Sequence, residues 1–79
     1  MPLYYLDSRD GDDFIADDDG VELDDIEAVR HQAALALAGL ARDVLPRAYR
    51  RELAIEARDE AGRPVLRASL VFETAILLS

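Results

Sequence analysis

Ile26, Val29, Ala33, Leu37, Leu40 and Val44 recur at steps of three and four residues. That spacing places all six on one face of an α-helix. The helix it predicts spans residues 24–45. Asp24 is positioned as its N-cap, Glu27 three residues on completes a capping-box pattern, and Leu23 can staple against the first turn. The acids at its start complement the positive end of the helix dipole, and Arg42 lies toward the negative end. Pro46 lacks a backbone donor and crowds the preceding turn, so the helix should stop at Val44 or Leu45.

Beyond Pro46 the period changes to two. Leu53, Ile55 and Ala57 alternate with Glu52, Glu56 and Arg58; Leu66, Ala68, Leu70 and Phe72 alternate with Arg67, Ser69 and Glu73. These are the patterns of half-buried antiparallel strands, over residues 52–58 and 65–74. Inward positions are odd-numbered before the turn and even-numbered after it, so facing residues add to an odd number. A hairpin without a bulge then needs an even-numbered loop, and Asp59-Glu60-Ala61-Gly62 supplies four residues, with Gly62 free to take a positive φ. Ahead of the helix, residues 3–7 predict a strand with Tyr4 and Leu6 on one face and Leu3 and Tyr5 on the other. Asp10-Gly11 and Asp19-Gly20 predict turns; Phe14 and Ile15 belong to a second strand or a looped return, and residues 12–23 stay open between strand and loop.

The order is ββαββ. It predicts an α+β fold, an antiparallel sheet of three to four strands with one amphipathic helix packed on one face. The spatial order 2-1-3-4 keeps every neighbour antiparallel and is preferred to 2-1-4-3. One small domain covers residues 1–79, divided into an acidic strand and turn region (1–23), the helix (24–45), a β-hairpin (51–74) and a tail (75–79). The centre of packing is expected at Leu37, Leu40, Leu53, Ile55, Leu70 and Phe72.

A chain of 79 residues buries only about 60–65% of its unfolded surface, so its own core is small. It has no cysteine to staple it, while 51% hydrophobic residues argue against disorder. Self-association is a common remedy in such domains. Charge sharpens the picture. Eleven of the seventeen acids and a single base, Arg9, lie in residues 7–27. Residues 1–29 carry −10 and residues 30–79 carry +2. Such a front repels nucleic acid and suits either simple solubility or a basic protein partner, with Asp12, Asp13, Asp17, Asp18 and Asp19 as its surface. Nine arginines without a lysine, and abundant alanine, fit GC-rich codon usage. No basic, apolar leader is visible at the start, and the longest apolar run, residues 33–41, falls short of the ~20 residues of a membrane span. The expectation is a cytoplasmic protein that binds neither membrane nor nucleic acid.

Catalytic and ligand-binding patterns fail on spacing. Taking Gly20 or Gly11 as the sixth residue of a calcium loop puts Ile15 or Leu6 in its first position. Asp17 and Asp19 are therefore weak metal candidates, and no cofactor is expected. Asp7 with Asp10 or Asp12 is the one carboxylate pairing with any claim to acid–base chemistry. His31, the single histidine, falls far from the core stripe and excludes a multi-histidine zinc site. The four glycines are scattered, which rules out a phosphate loop. Arg47, Arg50 and Arg51 with Tyr49 form a small basic cluster that the overall charge opposes as a nucleic-acid site.

The strings Met1-Pro2-x-Tyr4-Tyr5-x-Asp7, Asp10-Gly11-Asp12, Asp17-x-x-Gly20-Val21-Glu22-Leu23, Glu27-Ala28, Arg51-Glu52-Leu53-Ala54-Ile55-Glu56-Ala57-Arg58-Asp59-Glu60 and Gly62-x-Pro64-Val65 together resemble a family of very short, uncharacterised bacterial proteins grouped as a domain of unknown function. The resemblance implies no activity and no catalytic residues, and residues 74–79 lie beyond its shared portion. A weaker likeness, in strand, acidic Asp-Gly turn and helix, is to the hairpin-helix core of antitoxins that cap small ribonuclease toxins; an additional strand, a Pro-rich stretch and a DNA-binding module of that family have no counterpart.

The function expected first is a non-enzymatic interaction module, homodimeric, with an acidic surface. The alternative is an antitoxin-like or regulatory cap masking a basic nuclease or DNA-binding surface; an Asp-based metal hydrolase is remote. Two surfaces are candidates for the dimer contact. One is the outer side of the helix, with Leu35, Ala38 and Gly39, where a mid-helix glycine costs ~1 kcal/mol relative to alanine. The other is the apolar end of the last strand, with Ile76, Leu77 and Leu78, which outruns the strand it could pair with.

Overall fold

The computed structural model describes residues 2–78; Met1 of the shared start and Ser79 at the end of the tail lie outside them. In chain order the elements are β1 (Leu3–Asp10), β2 (Asp13–Ile15), β3 (Val21–Glu22), α1 (Ile26–Val44), a 3-10 turn (Leu45–Arg47), β4 (Arg50–Arg58) and β5 (Pro64–Glu73). The strands form one antiparallel sheet in the order β2-β1-β4-β5, with β3 also on β1. This is the all-antiparallel order expected, and the α+β class with one helix holds. Residues 12–23 resolve into two very short strands joined by a loop.

β1 runs to Asp10, three residues past the expected Asp7. Its second half is polar, which hides a strand from a hydrophobicity reading. The polar residues fit because β4 supplies opposite charges: Arg9 meets Glu56 at 3.3 Å and Asp10 meets Arg51 at 2.9 Å. Gly11 then takes φ +60 at the first of the two hairpin residues, the place where a type II′ turn requires glycine.

The N-cap of α1 is Asp25, not Asp24; its Oδ1 accepts from the Ala28 N–H at 2.8 Å. Leu23 is still tied to the sheet through its N–H to the Pro2 carbonyl (3.0 Å), so Asp24 is used to turn the chain. The shift puts Ala28 at the third helical position, and no capping box forms. Glu27 pairs with Arg30 instead, at 2.9 Å. The helix ends at Val44, with Pro46 in the 3-10 turn behind it.

β4 and β5 pair Leu53 with Leu70, Ile55 with Ala68 and Ala57 with Leu66, the odd sum that the alternation demanded. The hairpin end departs from expectation. Arg58 faces Pro64, Val65 is an extra residue, and the connection has five residues, not four. The turn itself forms as read, with the Gly62 N–H donating to the Asp59 carbonyl at 2.9 Å and Gly62 at φ +82. Pro64 has no N–H to give a ladder, and the bulge beside it absorbs the odd residue.

The helix lies over β4 and β5. Val29 and Ala33 are completely buried against a sheet whose innermost residues are Leu53, Ile55 and Ala57. Leu37, Leu40, Leu70 and Phe72 are only half-buried, and Ile26 is half-exposed. The packing centre therefore sits on β4, with Leu53 and Ile55 as expected, and on Val29 and Ala33 of the helix in place of Leu37, Leu40, Leu70 and Phe72. β4 has strands on both sides and a helix above; β5 has a neighbour on one side only, so its side chains keep an open flank.

Candidate interaction surfaces

The register sorts the strands into two faces. One lies beneath α1. The other carries Tyr5, Asp7 and Arg9 of β1, Glu52, Glu56 and Arg58 of β4 and Arg67 and Glu73 of β5. On this helix-free face Glu56 sits between Arg67 (3.1 Å) and Arg9 (3.3 Å). The Arg67 hydrogen bond outweighs burial and, with Arg9, holds the Glu56 carboxyl below its usual range. Arg9 also lies 4.8 Å from the centre of the Phe14 ring.

Deeper in the same face is a tighter knot. Asp7 is only 6% exposed and receives the Arg58 Nε–H at 3.0 Å. Arg58 stacks 4.5 Å over the Tyr5 ring and donates a second hydrogen bond, 3.0 Å, to the Asp17 carbonyl. The Asp17 N–H donates back to Asp7 at 2.9 Å. Its carboxylate accepts from the N–H groups of Leu6 (3.1 Å), Asp19 (3.0 Å) and Gly20 (3.3 Å). The logic is one of edge closure. β2 pairs with residues 8–10 of β1 and β3 with residues 3 and 4. Leu6 falls in the gap between them, and the Asp17 carboxylate supplies the acceptor a strand would have given. Gly20 completes the loop at φ +74, where an added Cβ would come 3.0 Å from Tyr5.

Burial works to raise the Asp17 carboxyl, but the three N–H donors and Arg58 prevail and hold it below its usual range. A carboxyl lowered on folding contributes stability that is complete above its unfolded value, 3.8 for Asp17 and 4.5 for Glu56, and is lost as pH falls through and below those values. Urea midpoints should therefore drop between pH 6 and pH 3. In Asp17→Asn the midpoint should already be lower at pH 6 and should fall less on acidification; an acid-induced loss as large as in the parent would remove Asp17 from this account.

The acid front of the sequence thus divides in two. Asp17, a weak metal candidate and part of the expected interaction surface, has both carboxylate oxygens engaged by backbone donors. Asp12 at the hairpin tip, Asp13, Asp18 and Asp19 are exposed, and none forms an ion pair among the described residues. Among the described residues no group of three or more His, Cys, Asp or Glu is placed to hold a metal. The Asp7–Asp10 pairing does not assemble: three residues apart on one strand, they occupy opposite faces. His31 is exposed. The basic cluster disperses, Arg47 to the Asp43 carbonyl (3.1 Å), Arg50 to Glu73 (3.2 Å) and Arg51 to Asp10. A hollow of about 450 Å³ is lined by Ala57, Gly62, Pro64 and Leu66 together with Asp7, Glu56, Arg58 and Arg67, whose charges are already paired with one another.

Two apolar surfaces remain open. On the side of α1 away from the sheet, Leu35, Ala38 and Gly39 are exposed, and an added Cβ at Gly39 would meet nothing within 4 Å. At the other, β5 has no neighbour beyond β4 among the described residues, and after Thr74 bonds to Tyr49 the tail continues with Ile76, Leu77 and Leu78 at 73%, 91% and 89% exposure. The tail is not the continued strand that its composition suggested, because β4 offers it nothing to pair with.

The Asp7–Arg58–Asp17 knot is the feature that residue-by-residue reading missed. The one available signal was that Tyr5, Asp7, Asp17, Gly20 and Arg58 all belong to the strings that carry the family resemblance. A family model described as a domain of unknown function, DUF6894, matches residues 3–71. No curated protein and no solved structure matches the chain. No described helix is long and apolar enough to cross a membrane.

Proposed function

We propose that this chain, which belongs to the DUF6894 family, is a non-enzymatic interaction module that works as a homodimer. The observation that carries this reading is the bare outer edge of β5, ten residues long and continued by an exposed apolar tail. An unpaired edge of that length is a ready template for another strand, and a domain of this size has a small core of its own. Sedimentation equilibrium at micromolar concentration should return twice the 8.8 kDa chain mass; a single species at the chain mass refutes the reading.

A second reading is favoured by the uncompensated acids Asp12, Asp13, Asp18 and Asp19, a surface suited to capping a basic nuclease or DNA-binding face in the manner of an antitoxin. Binding to an immobilised small basic ribonuclease should then weaken steeply between about 50 and 200 mM salt and vanish when all four are changed to Asn. Equal retention of the parent and the fourfold variant would dismiss it.

A further inference from the structure

The direction of the unused backbone groups on β5 can be fixed. The Thr74 N–H donates to the Tyr49 carbonyl at 2.9 Å, which makes this pair one whose backbone groups point at each other. Alternation along the ladder then turns even-numbered residues of β5 toward β4. The N–H and C=O groups of Arg67, Ser69, Val71 and Glu73 turn outward, to the bare edge.

We propose that this edge pairs with the same edge of a second copy, antiparallel, about a two-fold axis at Leu70. The proposal rests on the dimeric reading above and specifies its surface and register. In a two-fold pairing the numbers of facing residues add to a constant, and outward groups at odd positions require that constant to be even. Axes at Ala68, Ser69, Leu70 and Val71 meet that condition near the middle of the edge; one at Ala68 sets Arg67 against the partner's Ser69 and carries Glu73 past β5 to the partner's Arg63, whose carbonyl already accepts from the Asp59 N–H. An axis at Ser69 sets Arg67 against the partner's Val71, and one at Val71 sets it against the partner's Ala75. The axis at Leu70 sets Arg67 opposite the partner's Glu73, and Glu73 opposite the partner's Arg67.

The choice of a second copy follows from the same arithmetic. The opposite charges at 67 and 73 stand equally far from Leu70, so the edge is complementary to itself. Both side chains lie on the helix-free face, where Arg67 already pairs with Glu56 at 3.1 Å and Glu73 with Arg50 at 3.2 Å. The dimer would extend these into one row alternating in sign: Arg50, Glu73, the partner's Arg67, the partner's Glu56. It would also bring Ala75 opposite the partner's Val65, giving the start of the tail a strand to pair with.

The chain has no cysteine, so single cysteines report the register cleanly. Facing residues in such a pair lie at Cα separations of about 4.5–5.5 Å, within disulfide reach. Under mild oxidation Leu70→Cys should cross-link at least tenfold faster than Ser69→Cys or Val71→Cys. A second variant does not depend on cross-linking. The Val71 N–H points outward, so Val71→Pro removes no bond within the chain; it should keep the parent's far-UV circular dichroism and raise the dimer dissociation constant at least tenfold. A parent that dimerises while Ser69→Cys or Val71→Cys cross-links fastest, or while Val71→Pro dimerises as tightly as the parent, overturns the Leu70 register and leaves the dimeric reading standing. A monomeric parent overturns both.

Discussion

Replacing Ile55 with alanine should leave the chain close to unfolding at 37 °C. Ile55 is 1% exposed, in the central strand beneath the helix. Truncating so fully buried a side chain costs ~3–4 kcal/mol, through lost transfer energy and the cavity left behind. The stability available to a domain of this size is about 4–12 kcal/mol. Leu70→Ala, across the ladder from Leu53 but half-exposed at the sheet edge, should cost much less, about 1–2 kcal/mol. Urea denaturation of the two variants measures both. Equal losses would mean that the sheet is covered more evenly than the structure shows.

Asp7→Ala should also destabilise clearly, for an electrostatic reason. The carboxylate is almost wholly buried, pairs with Arg58 and accepts the Asp17 N–H. Removing it leaves the Asp17 N–H without its acceptor and Arg58, whose side chain is about a third exposed, with only the Asp17 carbonyl and the Tyr5 ring, which costs ~1–3 kcal/mol. For a domain this small, that lowers the melting temperature by at least about 4 °C. Asp7→Asn can still accept from Asp17 and should fall between. Arg9→Gln, on the same face but substantially exposed, should barely move the transition. If Asp7→Ala and Arg9→Gln melt alike, the knot is not a source of stability.

The contrast between these residues explains how much of the fold was legible in the sequence. The helix and the β4–β5 hairpin follow from periodicity, because a stripe of six apolar residues and two alternating runs leave few ways to bury them; the strand order follows instead from keeping every neighbour antiparallel. The capping residue was displaced by one because two adjacent aspartates are chemically equivalent caps, and only the hydrogen bond from Leu23 to Pro2 decides between them. The end of β1 was missed because its polar residues fit a strand only when the charges of β4 lie opposite. Asp17 looked like one more solvated acid for the same reason: its role is set by the gap at Leu6, a property of pairing and not of local sequence. Leu40 and Phe72 carry the right pattern for a core yet lie at its margin, since periodicity tells which way a side chain points but not how many layers cover it.

The closed flank of β1 has a consequence for assembly. A sheet with two adhesive borders can add subunits without limit and grow into fibres. Here one border is finished with strands of three and two residues and an aspartate loop between them, leaving little length for a newcomer. The other border is continuous. In the proposed pairing, a chain sticky on that side alone, with a pattern that reads the same in both directions, would exhaust its valence at the first encounter, and the assembly would stop at two.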